Sequence, residues 1–191
     1  LMPLIHLPVQ SGSNKILDAM NRKHTIEEYL RIIEKLNKVN PVIKFSSDFI
    51  IGYPGETLED FKQTEKLIKN VKYINSYSFI FSARPGTPAF KLEKIDQTEA
   101  MQRLIIFQSL AEEIKTKYME NLIGKTSHVL FENKTKDKNK YFGRDEYLNS
   151  VIVRSNKSLV GKIRKVKITS GNHKTLYGEI FPNLNQNNYA A

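Results

Sequence analysis

The stretch Ile43 to Phe61, "IKFSSDFIIGYPGETLEDF", decides how the first half of this chain is read. Its first nine residues are rich in isoleucine and phenylalanine and predict a β-strand over Ile43 to Ile51. Gly52, Pro54 and Gly55 then force a turn. Thr57, followed three residues later by Asp60, gives a capping-box start to a helix carrying Phe61, Leu67 and Ile68. Side chains alternate across a strand, so Ile43, Phe45, Ser47, Phe49 and Ile51 share one face and Lys44, Ser46, Asp48 and Ile50 the other.

The same strand, turn and helix unit recurs on both sides. Leu4 to Val9 predicts a strand that passes through Gln10-Ser-Gly-Ser-Asn14 into a helix with Ile16, Leu17 and Met20. A second helix follows, with Ile26, Tyr29, Leu30, Ile33 and Leu36 at helical spacing, and Pro41 stops it. Tyr73 to Phe81 predicts a further strand, with Tyr77, Phe79 and Phe81 opposite Ser76, Ser78, Ile80 and Ser82. Helical crossovers return the chain to the same end of a sheet, so these strands are expected to run parallel in an α/β unit. A strand between two helix layers is apolar on both faces. Here Ser46, Asp48 and Ser78 are expected to point into one hollow, with His6 and Gln10 sharing a face of the first strand, so an open or partial barrel is expected rather than a doubly wound sheet.

After a connector from Gly86, Asp96-Gln-Thr-Glu99 gives a second capping-box-like start to a long helix ending near Leu122, with Leu104, Ile105, Phe107, Leu110, Ala111, Ile114 and Tyr118 on its buried side. Gly124 is its expected stop. Beyond it the pattern changes to short β-branched and aromatic runs at Ser127 to Glu132, Lys140 to Arg144, Ser150 to Arg154, Leu159 to Thr169 and Thr175 to Phe181. Punctuated by Gly143, Gly161, Gly171 and Gly178, they predict a small antiparallel β-barrel. The expected division is therefore 1–121, 122–181 and a disordered, Asn-rich tail over 182–191.

Of 191 residues, 40% are apolar and 26% charged, an ordinary globular composition. The formal net charge of +10 is unevenly placed: residues 1–121 carry 17 Lys/Arg against 15 Asp/Glu, while 122–181 carry 13 against 5. Such a basic C-terminal third suits a polyanion, most often nucleic acid in the cytosol, or else is a solvated surface. No apolar run is long enough to span a bilayer and no secretory leader is evident, so the expected location is the cytoplasm, without membrane association. There is no Cys, hence no disulfide framework and no thiolate ligand. The opening Leu1 to Val9 starts inside or just before a strand, which suggests a piece of a longer protein.

In parallel α/β folds functional groups sit on loops after the carboxyl ends of strands. Three such loops are expected: Gln10-Ser-Gly-Ser13, Gly52-Tyr-Pro-Gly-Glu56 and Ala83-Arg-Pro-Gly-Thr87. Neither the Walker phosphate loop nor the dinucleotide fingerprint is complete. Each loop could be simple turn chemistry or part of one binding site. Asp48 could be a satisfied carboxylate or a ligand to a hydroxyl, and Arg84 a surface cation or an anchor for carboxylate or phosphate. His6 reads as structural, and His24, His128 and His173 lack metal-ligand spacing. No catalytic residue or metal ligand is assigned.

Three long motifs together, "HLPVQSGSNKILDAMNRKHT" (His6 to Thr25), "SSDFIIGYPGETLEDF" (Ser46 to Phe61) and "YSFIFSARPGTPA" (Tyr77 to Ala89), resemble the radical S-adenosylmethionine methylthiotransferases, most closely the MiaB type that modifies tRNA. "NLIGKTSHVLFE" (Asn121 to Glu132) and "LVGKIRKVKITS" (Leu159 to Ser170) are similar to parts of the TRAM domain that ends those enzymes. The resemblance covers about residues 1 to 181.

It implies the C-terminal half of a TIM-like partial radical barrel followed by a TRAM barrel. It also implies an enzyme that cleaves S-adenosylmethionine at a 4Fe-4S cluster and adds a methylthio group to C2 of N6-isopentenyl-adenosine beside the anticodon. Relatives acting on another tRNA adenosine or on a ribosomal protein, and a non-catalytic RNA-binding module, are the alternatives. Gln10, Ser11, Ser13, Asp48, Gly52, Pro54, Gly55 and Glu56 fall where the family lines its S-adenosylmethionine site, and Arg84 where its tRNA-modifying members carry Arg-Pro-Gly. For the tRNA anticodon stem-loop, Lys134, Lys136, Lys138, Lys140, Arg144, Lys162, Arg164, Lys165 and Lys167 are the expected phosphate contacts. Phe142 and Tyr147 are stacking candidates, with core packing favoured for Phe142. The family's two 4Fe-4S clusters need Cys ligands, so this chain alone is expected to be inactive, its parent protein monomeric, and the piece prone to self-association at its open strand edge.

Overall fold

The computed structural model describes residues 2–137 and 139–181; Lys138 and the tail expected to be disordered lie outside the described residues. The chain divides into two compact units, Pro3–Lys115 and a second from Thr116 onward.

The first unit is a three-stranded parallel sheet in the order β1 (Leu4–His6), β2 (Lys44–Ile51), β3 (Asn75–Ile80). Its connections are helices: α1 (Asn14–Ala19) and α2 (Ile26–Val39) between β1 and β2, and α3 (Leu58–Val71) between β2 and β3. The sequence places each helix start. Thr57 accepts from the Asp60 amide while the Asp60 carboxylate accepts from the Thr57 amide, the reciprocal box expected, and Thr25 and Glu28 build a second one at α2. Phe45, Phe49 and Ile51 of β2 pack under the helices with Tyr29, Ile33, Phe61, Leu67, Ile68 and Tyr73. From α4 (Gln97–Glu120), Phe107 joins this core at 4.6 Å from the Phe49 ring. Burial of such an aromatic side chain contributes about 1.5–3 kcal/mol. Ile105, expected on the buried side of α4, is instead 58% exposed: it lies two residues before Phe107, and a step of two turns a helix about 200°.

Strand register corrects one expectation. Asp48 pairs with Tyr77 and Ile50 with Phe79, whereas Ser47 pairs with Ser76 and Phe49 with Ser78. Paired residues of a parallel sheet share a face, so Ser76 and Ser78 lie on the helix-covered side and only Ser46 and Asp48 share the open one. The alternation within each strand is as expected, but its phase between strands depends on a register that no local pattern encodes. Tyr77 and Phe79, 53% and 59% exposed, therefore stand beside Asp48 on the open face. The link from His6 to Gln10 also fails to follow strict alternation, because pairing shifts from His6 with Ser46 to Gln10 with Phe49, and Gln10 takes a left-handed backbone at φ 77°.

The second unit is a closed five-stranded barrel: β4 (Thr126–Lys134), β5 (Lys140–Asp145), β6 (Ser150–Arg154), β7 (Ile163–Gly171) and β8 (Thr175–Ile180), in spatial order β4-β5-β6-β8-β7. All neighbours are antiparallel except β6 and β8, which run parallel because the chain crosses the barrel between β6 and β7. Leu159 to Lys162, expected as strand, is that crossing, with Leu159 buried in the core. Val129, Phe131, Tyr141, Val151, Val153, Val166, Ile168 and Leu176 fill the interior together with Met119 from the end of α4. Gly143 is required by close approach: a Cβ there would stand 2.4 Å from the Leu130 carbonyl oxygen. Phe142 is not a core residue. Its neighbour Tyr141 takes the inward position, leaving Phe142 outside with the Arg144 guanidinium 5.5 Å from its ring centre.

Candidate functional site

At the carboxyl end of the sheet, two polar clusters fix the loops. Asp60, at the start of α3, is a hub that is itself buried. Its Oδ1 accepts from Ser13 Oγ at 2.7 Å, and its Oδ2 accepts from the Thr57 amide, Thr57 Oγ1 and Lys15 Nζ. Burial pushes the Asp60 carboxyl up, but the bonds from Thr57, Ser13 and Lys15 outweigh it and hold it well below the ordinary carboxylate range. Ser13 meanwhile caps α1, and the Gly12 amide donates to Thr64 Oγ1 at 2.9 Å. A Cβ on Gly12 would sit 2.5 Å from the Thr64 Cα, so only glycine lets the first loop lie against α3.

The second cluster ties the β2 turn to α4. Arg103 donates through Nη1 to the Glu56 carboxylate at 2.8 Å and to the Glu56 carbonyl at 2.9 Å, and through Nη2 to Glu99. The Gly52 amide also donates to Glu56 Oε1, at 3.2 Å. Burial pushes the Glu56 carboxyl up against the pull of Arg103. Gly52 and Gly55 both need left-handed backbone, with φ 74° and 80°.

Between the loops, on the open sheet face, stand His6, Ser46 and Asp48. His6 Nδ1 lies 2.9 Å from Ser46 Oγ, and Nε2 lies 3.4 Å from Asp48 Oδ2. A carboxylate can only accept, so the Nε2 proton faces Asp48, while Nδ1 and the Ser46 hydroxyl can share a hydrogen bond in either direction. The His6 and Asp48 side chains keep 45% and 32% of their surface exposed, and Tyr77 meets the His6 ring edge-on at 6.2 Å. Such a face can offer a carboxylate acceptor, an imidazole edge and two aromatic rings to a ligand, while Ser46 is buried and bonded to His6.

The expected site residues thus separate. Gln10, Ser11, Ser13, Gly52, Pro54 and Glu56 are buried, and the Ser11, Ser13 and Glu56 side chains are engaged inside the fold. Gly55 is exposed and its carbonyl accepts from Lys15 Nζ. Asp48 is the residue of that group whose side chain stands on the open face with other polar groups. His6, read as structural, belongs with it, brought there by its pairing with Ser46 across the sheet, which no local pattern encodes. Arg103, Lys15 and Thr64 were not anticipated, because a buried Arg on a helix looks in sequence like one of many surface cations. Arg84 is exposed, its carbonyl accepting from Thr87.

On the barrel, Lys134, Lys136, Arg144, Lys162, Lys165 and Lys167 are exposed, and Lys140 and Arg164 are partly buried. Lys165 and Lys167 alternate with the inward Val166 and Ile168 on β7, and Lys165 pairs with His128 of β4. Lys165 Nζ lies 5.3 Å from the Phe181 ring centre. Lys140 is paired with Asp137, and Arg144 Nε lies 3.4 Å from Glu132. Tyr147 stacks edge-on with Tyr118 at 6.4 Å. Among the described residues no group of three or more His, Cys, Asp or Glu could hold a metal ion, and no helix is long and apolar enough to cross a membrane.

Residues 2–68 match the Radical SAM superfamily and residues 120–181 match the TRAM domain. Over 180 residues the chain is 57% identical to a tRNA-2-methylthio-N(6)-dimethylallyladenosine synthase of Pelagibacter ubique, covering 94% of this chain and 40% of that protein. Proteins of the same name from Wolbachia pipientis subsp. Culex pipiens and Rickettsia conorii are 48% and 47% identical, over 93% and 94% of this chain and 41% of each relative. The chain spans about two fifths of the length of these curated relatives.

Proposed function

Since the chain belongs to the radical S-adenosylmethionine methylthiotransferases, we propose that it serves the addition of a methylthio group to C2 of N6-isopentenyl-adenosine beside the anticodon of tRNA, in the cytoplasm. The observation that carries this reading is the joining, in one chain, of the His6, Ser46 and Asp48 sheet face to a basic TRAM barrel. The first suits a small polar cofactor and the second a polyanion.

The two groups that the family implies fare differently. The chain has no Cys and no alternative ligand cluster among its described residues, so its residues do not fit a 4Fe-4S cluster. Ligands for one would have to come from elsewhere, and the chain by itself is expected to be inactive. S-adenosylmethionine, the source of the reactive carbon radical when bound, fits the donor set better. Asp48 would accept from its hydroxyl or ammonium groups, with His6 holding the Asp48 carboxylate in place. Ser11, Ser13, Gly52 and Glu56 would act through the backbone they fix, Gln10, Pro54 and Gly55 through the loop wall they form.

For the RNA, Lys134, Lys136, Lys138, Lys140, Arg144, Lys162, Arg164, Lys165 and Lys167 would neutralise phosphates, and Phe142, now known to face outward, is the stronger stacking candidate. Arg84 would meet the tRNA from its exposed loop. The alternative is an RNA-binding module without catalysis, which the basic barrel alone would serve. Nucleoside analysis of tRNA from cells lacking the gene decides. Loss of the 2-methylthio nucleoside with accumulation of N6-isopentenyl-adenosine is expected. Unchanged tRNA nucleosides would overturn the reading, and loss of a different methylthio-adenosine or of a ribosomal-protein modification would redirect it to the relatives with those substrates.

A further inference from the structure

A separate cavity of about 160 Å³ lies where α1 turns into α2, lined by Asn14, Asp18, Arg22, Lys23, His24 and Glu28 among others. The sequence builds it by a sharp reversal. α1 ends at Ala19, Asn21 takes a left-handed backbone at φ 57°, and α2 starts after its Thr25 cap. Asn14 then pins the two helix starts together: its Oδ1 accepts from the Ile26 amide at 2.8 Å and its Nδ2 donates to Glu27 at 3.0 Å. The start of α1 is in turn tied to the start of α3 through Ser13 and Asp60. The cavity therefore opens at the carboxyl end of the sheet, the end that carries the loops described above.

Its lining is chemically incomplete. Asp18 and Arg22, both exposed, bear opposite charges at the rim of this cavity, and among the described residues neither side chain has a hydrogen-bond or ion-pair partner. His24 Nε2 is buried and unpartnered too. Buried polar atoms are normally satisfied by protein or by something bound, so the orphaned His24 imidazole nitrogen marks a place for a ligand, and the exposed Asp18 and Arg22 beside it are free to contact one. A ligand there would meet an acceptor in Asp18 and donors in Arg22 and Lys23. A volume of about 160 Å³ is below the roughly 300–1,000 Å³ of pockets that enclose whole drug-sized molecules, so it suits a single ring or phosphate.

Resting on the RNA substrate proposed above, we infer that this cavity takes one unpaired base of the RNA strand. The base carries an exocyclic amine that donates to Asp18, and its phosphate stays outside the cavity, at the rim against the exposed Arg22 and Lys23. Carboxylates accept from such amines, and guanidinium groups bind phosphate in a fork, which accounts for the two unpaired charges by two parts of one nucleotide. Uracil, which lacks the amine, is excluded from a strong fit. The sheet-face site is not involved, since none of His6, Ser46 or Asp48 lines this cavity.

The test uses the whole chain. Backbone amide resonances are followed by NMR while AMP, CMP, GMP, UMP or inorganic phosphate is added, and binding of an anticodon stem-loop RNA is measured for wild type, Arg22→Ala and Asp18→Asn. Shifts confined to residues 14–28 with at least one amine-bearing nucleotide, and weaker with UMP and phosphate, are expected. Arg22→Ala should lower stem-loop affinity about tenfold, and Asp18→Asn should cut discrimination between the favoured nucleotide and UMP by about tenfold. Equal shifts with phosphate alone would overturn base recognition. A stem-loop that binds wild type and both variants alike would overturn the inference and leave the RNA reading standing. A wild-type chain that binds no RNA would overturn both. Circular dichroism of each variant separates lost binding from lost fold, and the wild-type titration stands whether or not a variant folds.

Discussion

In the sheet unit Glu56, Asp60 and Arg103 are buried and tied into named partners, whereas on the barrel Lys134, Lys136, Lys165 and Lys167 stand exposed on the outer surface. The difference is physical before it is functional. A buried charge must be compensated, so its removal is felt by the fold. An exposed charge contributes little to the fold but keeps its full attraction for a polyanion. One unit holds loops in fixed positions, and the other carries an adjustable electrostatic surface.

The largest effect that could break this contrast is expected at Arg103. Arg103→Ala leaves Glu56 buried without its cation and should cost about 3–5 kcal/mol in a urea unfolding series. A loss under about 1 kcal/mol would show that the cluster is not holding the β2 turn. Next comes Gly12→Ala, whose new methyl group meets the Thr64 backbone, with an expected cost of about 1–3 kcal/mol in the same series.

Acid titration sharpens the contrast further. The Asp60 carboxyl is held below its unfolded value, so its contribution is complete above the ordinary aspartate pKa of about 3.9 and is lost as pH falls toward the lower folded value. Asp60→Asn should therefore flatten the acid limb of the stability curve, and an unchanged limb would remove Asp60 as the hub. The smallest effect on stability, within about 0.5 kcal/mol, is expected for Lys165→Ala with Lys167→Ala on the barrel. A clear drop in denaturation midpoint there would mean that those lysines support the fold.

Much of this was legible because the decisive signals are local. The Thr57 and Asp60 capping box, the Pro-Gly turn and the apolar spacing of α2 and α4 act within a few residues, and the structure places each element where they point. What stayed hidden depends on distant pairing. Ser78 and Asp48 fall on opposite faces because of the β2–β3 register, and Phe142 lies outside because Tyr141 takes the inward position. The parallel pairing of β6 with β8 likewise follows from a crossing that leaves no mark on either strand. Of the candidate site, Asp48 was legible as a carboxylate on the polar face of its strand, beside Ser46. His6 and Arg103 were not, since their importance lies in partners 42 and 47 residues away.

The division of labour between the units is tested most directly by the salt dependence of anticodon stem-loop binding, measured in parallel on wild type, Lys165→Ala/Lys167→Ala and Asp48→Ala. The barrel variant should lower the slope of log affinity against log salt by about 1.4 to 1.8, the value for two lost phosphate contacts, while Asp48→Ala leaves the slope unchanged. Equal slopes in wild type and the barrel variant, or a slope that falls with Asp48, would contradict the account.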